Sequence, residues 1–336
     1  MPYNSGHSPC SRRACTRGAA AFFLMTSDPQ HNLAAPAFRQ DLVRWRQLVT
    51  PAWLAAVLAG EPVAEAPPPD WRLFEVGCDG AAPFEQAHIP GAGYIDTNQL
   101  EQAPLWNKVC DQALLRLLLA CGIRDDSTVV LYGRNNLAAA RAAHLMLYAG
   151  VRDVRLLDGG YALWQAGGHP SVAGAPRRYP GVARFGVPFP ARPDYLIGIT
   201  QARALLQQPD GALVSIRTWN EFIGKISGYS YIAARGDIPG ALWGRAGNDD
   251  DVNSMSDFHR PDGSMKPASE ICRQWRAAGI DRQRRMAFYC GTGWRASLAF
   301  FYAWLMDWPH ISVYDGGWCE WSGDPANAVV CRTGTS

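Results

Sequence analysis

The chain contains two copies of one pattern, and a duplication on this scale limits the architecture before any single residue is read. Leu157-Asp158-Gly159-Gly160-Tyr161-Ala162-Leu163-Trp164 is matched by Tyr314-Asp315-Gly316-Gly317-Trp318-Cys319-Glu320-Trp321 at an offset of 157 residues. His88-Ile89-Pro90-Gly91-Ala92 is matched by Asp237-Ile238-Pro239-Gly240-Ala241 at an offset of 149, so the second copy holds eight extra residues, which are expected in the polar, Gly- and Asp-rich stretch 244–267. Within each copy, short apolar runs alternate with helical ones, the signature of a mainly parallel sheet with helices on both faces. In the second copy 286–289 reads as a strand, 296–306 as a largely buried helix and 311–314 as the next strand; the first copy repeats the order with 128–132, 138–147 and 154–157. The expected fold is α/β, with tandem domains at 38–180 and 194–336 and a proline-rich linker at 181–193.

A chain of 336 residues is long enough for two domains of ordinary size. Its 32 basic and 30 acidic residues are scattered, giving a net charge of +2 without the basic stripe that nucleic acid needs. No apolar run approaches the roughly 20 residues of a membrane-spanning helix. Nucleic-acid and membrane partners are therefore not expected. Residues 1–37 stand apart: Arg12, Arg13 and Arg17 precede a short apolar stretch, 18–25, which reads as a weak export signal and leaves the periplasm and the cytoplasm both open.

Nine cysteines, at 10, 15, 78, 110, 121, 272, 290, 319 and 331, form an odd set without a C-x-x-C pair, so neither a disulfide framework nor a zinc site is expected, and no cofactor is implied. Most read as inert buried thiols. His88, His144, His169 and His259 lack ligand spacing and read as structural or solvated.

Cys290 is different because of its setting. It follows an apolar strand directly, and Gly291-Thr292-Gly293-Trp294-Arg295 leads from it into a helix. In open α/β sheets ligands bind beyond the carboxyl ends of the strands, and the backbone N–H groups of a tight loop at a helix N-terminus form an anion-binding hollow. A sulfur at its centre sits in a positive field, which favours the nucleophilic thiolate. Gly291 and Gly293 let the backbone curl closely there.

The run Cys-Gly-Thr-Gly-Trp-Arg at 290–295, with Asp315-Gly316-Gly317-Trp318 downstream and Ile238-Pro239-Gly240-Ala241 upstream, resembles the active domain of rhodaneses, over nearly the whole chain after residue 38. It is similar in detail to tandem-domain bacterial thiosulfate sulfurtransferases, which it also resembles from Ser215-Ile216-Arg217 to Gly228-Tyr229. The resemblance implies that Cys290 takes a sulfane sulfur from thiosulfate as a persulfide and passes it to a thiophilic acceptor, cyanide or a thiol. It also implies that the amides of Gly291, Thr292, Gly293 and the following residues cradle the sulfur, that Arg295 holds the anionic donor and that Arg217 lies near the site. Trp294 either stacks beside the substrate or caps the loop. Ser215 stands where many members have aspartate.

The duplicate serves as a control. The offset of 157 carries Cys290 onto Gly133, in the loop Gly133-Arg134-Asn135-Asn136-Leu137-Ala138, and Arg217 corresponds to Gly77. The first domain is thus expected to be catalytically silent and to supply an interface and a wall of the cleft. Trp219, Glu221 and Lys225 fall in what reads as an extended insertion, bordering the site or solvated. Cys319 reads as ordinary helix packing rather than a resolving thiol.

Three other functions compete. Phosphatases and arsenate reductases of the related kind have one residue more between cysteine and arginine than the four found here, and the shorter loop suits a single sulfur. A 3-mercaptopyruvate sulfurtransferase shares the start of the loop, but small residues usually follow where Trp294-Arg295 stand. A persulfide carrier working from protein to protein is the reading from outside small-molecule enzymology, with a sulfur-relay protein as partner.

Overall fold

The strands of both copies are apolar on successive residues, so each sheet needs cover on both faces. The computed structural model describes residues 38–78 and 80–332; the reading of 1–37 lies outside them. In the first half β1 (Leu48–Val49), α1 (Pro51–Leu58), β2 (Arg72–Gly77), α2 (Ala82–Gln86), β3 (Gly93–Asp96), β4 (Glu101–Gln102), β5 (Asn107–Lys108), α3 (Asp111–Ala120), β6 (Thr128–Tyr132), α4 (Asn136–Ala149), β7 (Asp153–Leu157) and α5 (Gly160–Ala166) follow one another. The second half runs β8 (Leu196–Ile197), α6 (Ile199–Leu206), β9 (Gly211–Ser215), α7 (Trp219–Ile223), β10 (Leu242–Trp243), α8 (Ala268–Ala277), β11 (Arg285–Tyr289), α9 (Trp294–Leu305), β12 (Ile311–Tyr314) and α10 (Gly317–Gly323). The sheets have the same order, β1-β7-β6-β2-β3 and β8-β12-β11-β9-β10, with every neighbouring pair parallel.

Alternation along the strands divides the interior into three cores. Leu73, Val130, Tyr132 and Leu157 face a core under α1 and α5, and Leu213, Ala287, Tyr289 and Tyr314 face the corresponding core of the second half. The opposite strand faces, with Phe74, Val129 and Leu131 from one sheet and Val214, Met286 and Phe288 from the other, contribute to one continuous core that contains α4 and α9. Both helices are apolar almost all round, as suits an element enclosed on every side: residues 137–149 and 295–305 are all buried.

The repeated Asp-Gly-Gly motif has a packing cause. A Cβ at Gly317 would lie 2.6 Å from the carbonyl oxygen of Cys290, and one at Gly160 would lie 2.6 Å from that of Gly133. These approaches let Trp318 N donate to Cys290 O (2.8 Å) and Tyr161 N to Gly133 O (3.0 Å), fixing each strand-to-helix loop against the next helix.

Residues 181–193 contain only the start of a 3₁₀ turn at Pro193, yet they are fastened down. Val182 N donates to Leu119 O (2.9 Å), Phe185 O accepts from Asp125 N (3.0 Å), Ala191 N donates to Ala149 O (3.1 Å) and the Phe185 ring is buried. In the polar stretch 244–267, Met265 N donates to Asp158 Oδ1 (2.8 Å), tying the second half to the first. Among the described residues no helix is long and apolar enough to cross a membrane.

Candidate active site

Cys290 lies one residue beyond β11, and α9 begins at Trp294, two residues earlier than its apolar periodicity suggests. Its Sγ accepts a hydrogen bond from Gly293 N at 3.2 Å, and the residue is 2% exposed. Gly293 has φ +105°, the left-handed region that glycine supplies cheaply. At Gly291 the crowding comes from Tyr229: a Cβ would sit 2.2 Å from the ring carbon Cζ. The expected closeness of the backbone is thus present, with an aromatic ring rather than the sulfur setting it at Gly291.

Tyr229 was not singled out from sequence as a site residue, and it occupies the centre of the arrangement. Its hydroxyl accepts from Gly291 N (2.9 Å) and from Arg295 Nη2. With two donors directed at its oxygen, the phenol keeps its own proton to offer. Burial, with the neighbouring Cys290 and Glu221 adding to it and Arg295 opposing, holds its ionisation well above the usual tyrosine range.

Arg295 lines the cleft but is only 2% exposed, and its guanidinium is clamped by Glu221 through Nη1–Oε2 (2.8 Å) and Nη2–Oε1 (3.0 Å). Glu221 is not in an extended segment. Thr218 and Glu221 form a capping box that starts α7, with Thr218 N donating to Glu221 Oε2 (2.8 Å). Burial alone would raise the Glu221 carboxyl, but Arg295 and then Arg217 outweigh it and hold the group below the usual carboxylate range. Trp219, in the same helix, stays 45% exposed. Neither Trp219 nor Lys225 lines the cleft.

Arg217, which the resemblance implied as a substrate-binding residue, lies beside the site but off the cleft wall. Its side chain is fully enclosed and committed: Nη1 donates to Gly236 O (2.7 Å) and Asp237 Oδ2 (3.1 Å), Nη2 to Ser227 O (3.1 Å) and Nε to Glu221 Oε1 (3.4 Å). It stacks over Trp318 and does not line the cleft. Ser215, in the aspartate position, donates to Asp237 Oδ2 (2.8 Å), so a carboxylate reaches this place from another strand entry.

The cleft has a volume of about 410 Å³ and lies between the halves. Cys78, Thr97, Asn98, Glu101 and Trp106 line it from the first, and Tyr229, Tyr231, Val252, Asn253, Thr292 and Trp294 from the second, around Cys290 and Arg295. Trp294 Nε1 donates to Glu101 Oε2 (2.7 Å), which ties the loop to the first half. The other oxygen of Glu101 accepts from Arg141 Nε (2.8 Å), and Arg141 Nη2 reaches Asp315 Oδ1 (2.5 Å) across the domains. Burial raises the Glu101 carboxyl despite Arg141 and Trp294.

In the first half the register pairs Tyr132 with Glu75, as Tyr289 pairs with Ser215 in the second, which puts Gly77 at the Arg217 position. The loop supplies a guanidinium instead: Arg134 stacks over Tyr161 and pairs with Glu75 (2.9 Å). A smaller cavity of about 200 Å³ adjoins these residues.

The expectation of mostly buried cysteines is also corrected. Among the described residues Cys290 alone is buried, whereas Cys78, Cys110 and Cys331 are exposed. Burial still pushes the Cys121 thiol up to about 11. His144 and His259 stay neutral, pushed down chiefly by burial to about 3 and about 4. No cluster of potential metal ligands occurs among the described residues.

Two parallel-sheet halves meeting over a cysteine in a strand-to-helix loop define a tandem α/β protein with a cysteine on the wall of its interdomain cleft. The rhodanese-like domain model matches the chain twice, over 51–167 and 199–324, and the chain belongs to the rhodanese family. It is 50% identical over 298 residues to thiosulfate sulfurtransferase YnjE of Escherichia coli, covering 89% of this chain and 68% of that one. The crystal structure of YnjE superposes with a TM-score of 0.83 over 86% of this chain and 69% of that chain. Sulfur carrier protein TtuD of Thermus thermophilus is 33% identical over 274 residues, 75% of this chain and 88% of that one. The wild-type structure of EanB, 37% identical, gives a TM-score of 0.82 over 86% of this chain and 70% of that chain. The protein is a sulfurtransferase.

Proposed function

We propose that the protein moves a sulfane sulfur from thiosulfate to a thiophilic acceptor through a persulfide on Cys290. The observation that carries this reading is Sγ of Cys290 on the wall of an interdomain cleft, hydrogen-bonded to a loop amide. The thiolate attacks the sulfane sulfur, the S–S bond of thiosulfate breaks, and sulfite leaves with the bonding pair. Cyanide or a thiol then attacks the outer sulfur and returns Cys290 to the thiolate. Amides of the loop 291–295 supply the positive field. Thr292 and Trp294 form cleft wall, and Trp294 also braces the loop through Glu101.

Arg295 acts through Tyr229 in this scheme. Its charge is shared with Glu221, and together with Gly291 N it turns the phenolic proton toward a group in the cleft. A sulfite oxygen gaining charge is the fitting recipient. The YnjE relative supports thiosulfate as donor; 3-mercaptopyruvate remains the rival donor, and a carrier role is the rival use.

The test is intact mass after incubation with thiosulfate, alongside thiocyanate release in the presence of cyanide, for the wild type and Cys290→Ser. Gain of one sulfur atom and turnover, both lost in the variant, are expected. Loading from 3-mercaptopyruvate and not thiosulfate would reassign the donor. Loading with rapid delivery to protein thiols but negligible thiocyanate release would favour the carrier.

A further inference from the structure

The active cleft holds a second thiol, and it comes from the silent half. Cys78 follows β2 at the carboxyl end of the first sheet and lines the same 410 Å³ cavity as Cys290. It also lines the adjoining 200 Å³ cavity beside Arg134, and Trp294 forms part of both walls. The two cysteines differ in access, since Cys290 is 2% exposed and Cys78 is exposed.

That difference bears on delivery. A persulfide on Cys290 is open to cyanide or a small thiol that enters the cavity. A thiol carried on a folded protein has to bring its backbone to an enclosed sulfur, whereas an exposed cysteine on the rim meets it at the surface.

We propose that Cys78 is a relay thiol, which takes the sulfane sulfur from Cys290 and presents it to a protein thiol. The proposal rests on the persulfide reading of Cys290. In the transfer the Cys78 thiolate attacks the outer sulfur of the persulfide. A bond forms between that sulfur and Cys78 Sγ while the bond to Cys290 Sγ breaks, and Cys290 keeps the electron pair and takes up the proton that Cys78 gave up. The exchange is redox-neutral and needs no further reactant.

The experiment is thiosulfate loading of the full chain, trapping of thiols and persulfides with N-ethylmaleimide over time, and peptide mapping of Cys78 and Cys290 in the wild type and Cys290→Ser. The expected result is one added sulfur on Cys290 first and on Cys78 later, with neither labelled in the variant. Sulfur confined to Cys290 at all times overturns the relay and leaves the persulfide reading intact. Sulfur on Cys78 in Cys290→Ser overturns it too, by showing direct capture. Sulfur on neither peptide in the wild type overturns the thiosulfate-loaded persulfide itself. A donor-free arm uses dibromobimane, which fluoresces on bridging two nearby thiols: a Cys78–Cys290 linked peptide is expected, and its absence overturns direct transfer.

Discussion

Glu221→Gln isolates the element on which the active loop rests. The carboxylate is fully buried and receives Arg295 at 2.8 and 3.0 Å, Arg217 at 3.4 Å and Thr218 N at 2.8 Å. Glutamine keeps the volume but takes the carboxylate away from the buried Arg295, while Arg217 keeps its pair with Asp237. Breaking a buried pair by removing one partner costs about 3–5 kcal/mol. With a urea slope of about 2–3 kcal/mol/M, that lowers the midpoint by roughly 1.5 M, which tryptophan fluorescence will resolve. The sign with pH follows from the carboxyl being held below its usual range. Its contribution is complete above the unfolded value of about 4.3 and is lost as pH falls through the folded value. The gap between wild type and variant should therefore be flat from neutral pH to about 5 and close at lower pH. A gap under about 1 kcal/mol at neutral pH would refute the claim that this ion pair supports the loop.

Two further outcomes follow from the site. Tyr229→Phe leaves Gly291 N–H and an Arg295 N–H without their acceptor, a cost of about 1–3 kcal/mol, so turnover with thiosulfate should fall by one to two orders of magnitude in a steady-state assay; unchanged turnover would remove Tyr229 from the chemistry. Arg217→Met removes the ion-pair partner of buried Asp237 and should destabilise by about 3–5 kcal/mol in urea, while the KM for thiosulfate, measured where the variant is folded, should move by less than about threefold. A large KM effect with normal stability would restore Arg217 as a substrate ligand.

Much of this fold can be read from the chain because its signals are local and doubled. The strands at 128–132 and 311–314 have the bounds their apolar runs suggest, and the buried helices differ by one or two residues at their ends. The site was less legible. Trp219–Ile223 is too short to show a helical period, although Thr218-x-x-Glu221 was a visible capping signal. Arg217 could be placed at a strand end, but not the carboxylates that enclose it, one of them twenty residues further on. The bond between Trp294 and Glu101 spans 193 residues and follows only from the packing of the two halves.

That packing bears on how the duplicate can diverge. None of residues 133–137 lines the cleft around Cys290, whereas α4 cannot loosen without uncovering α9, and Glu101 cannot move without releasing Trp294. The first copy is thus freer to drift in its own loop and constrained on the face it turns to its twin. An isolated second half would retain its cysteine while losing the five cleft-lining residues of its twin and one side of its core.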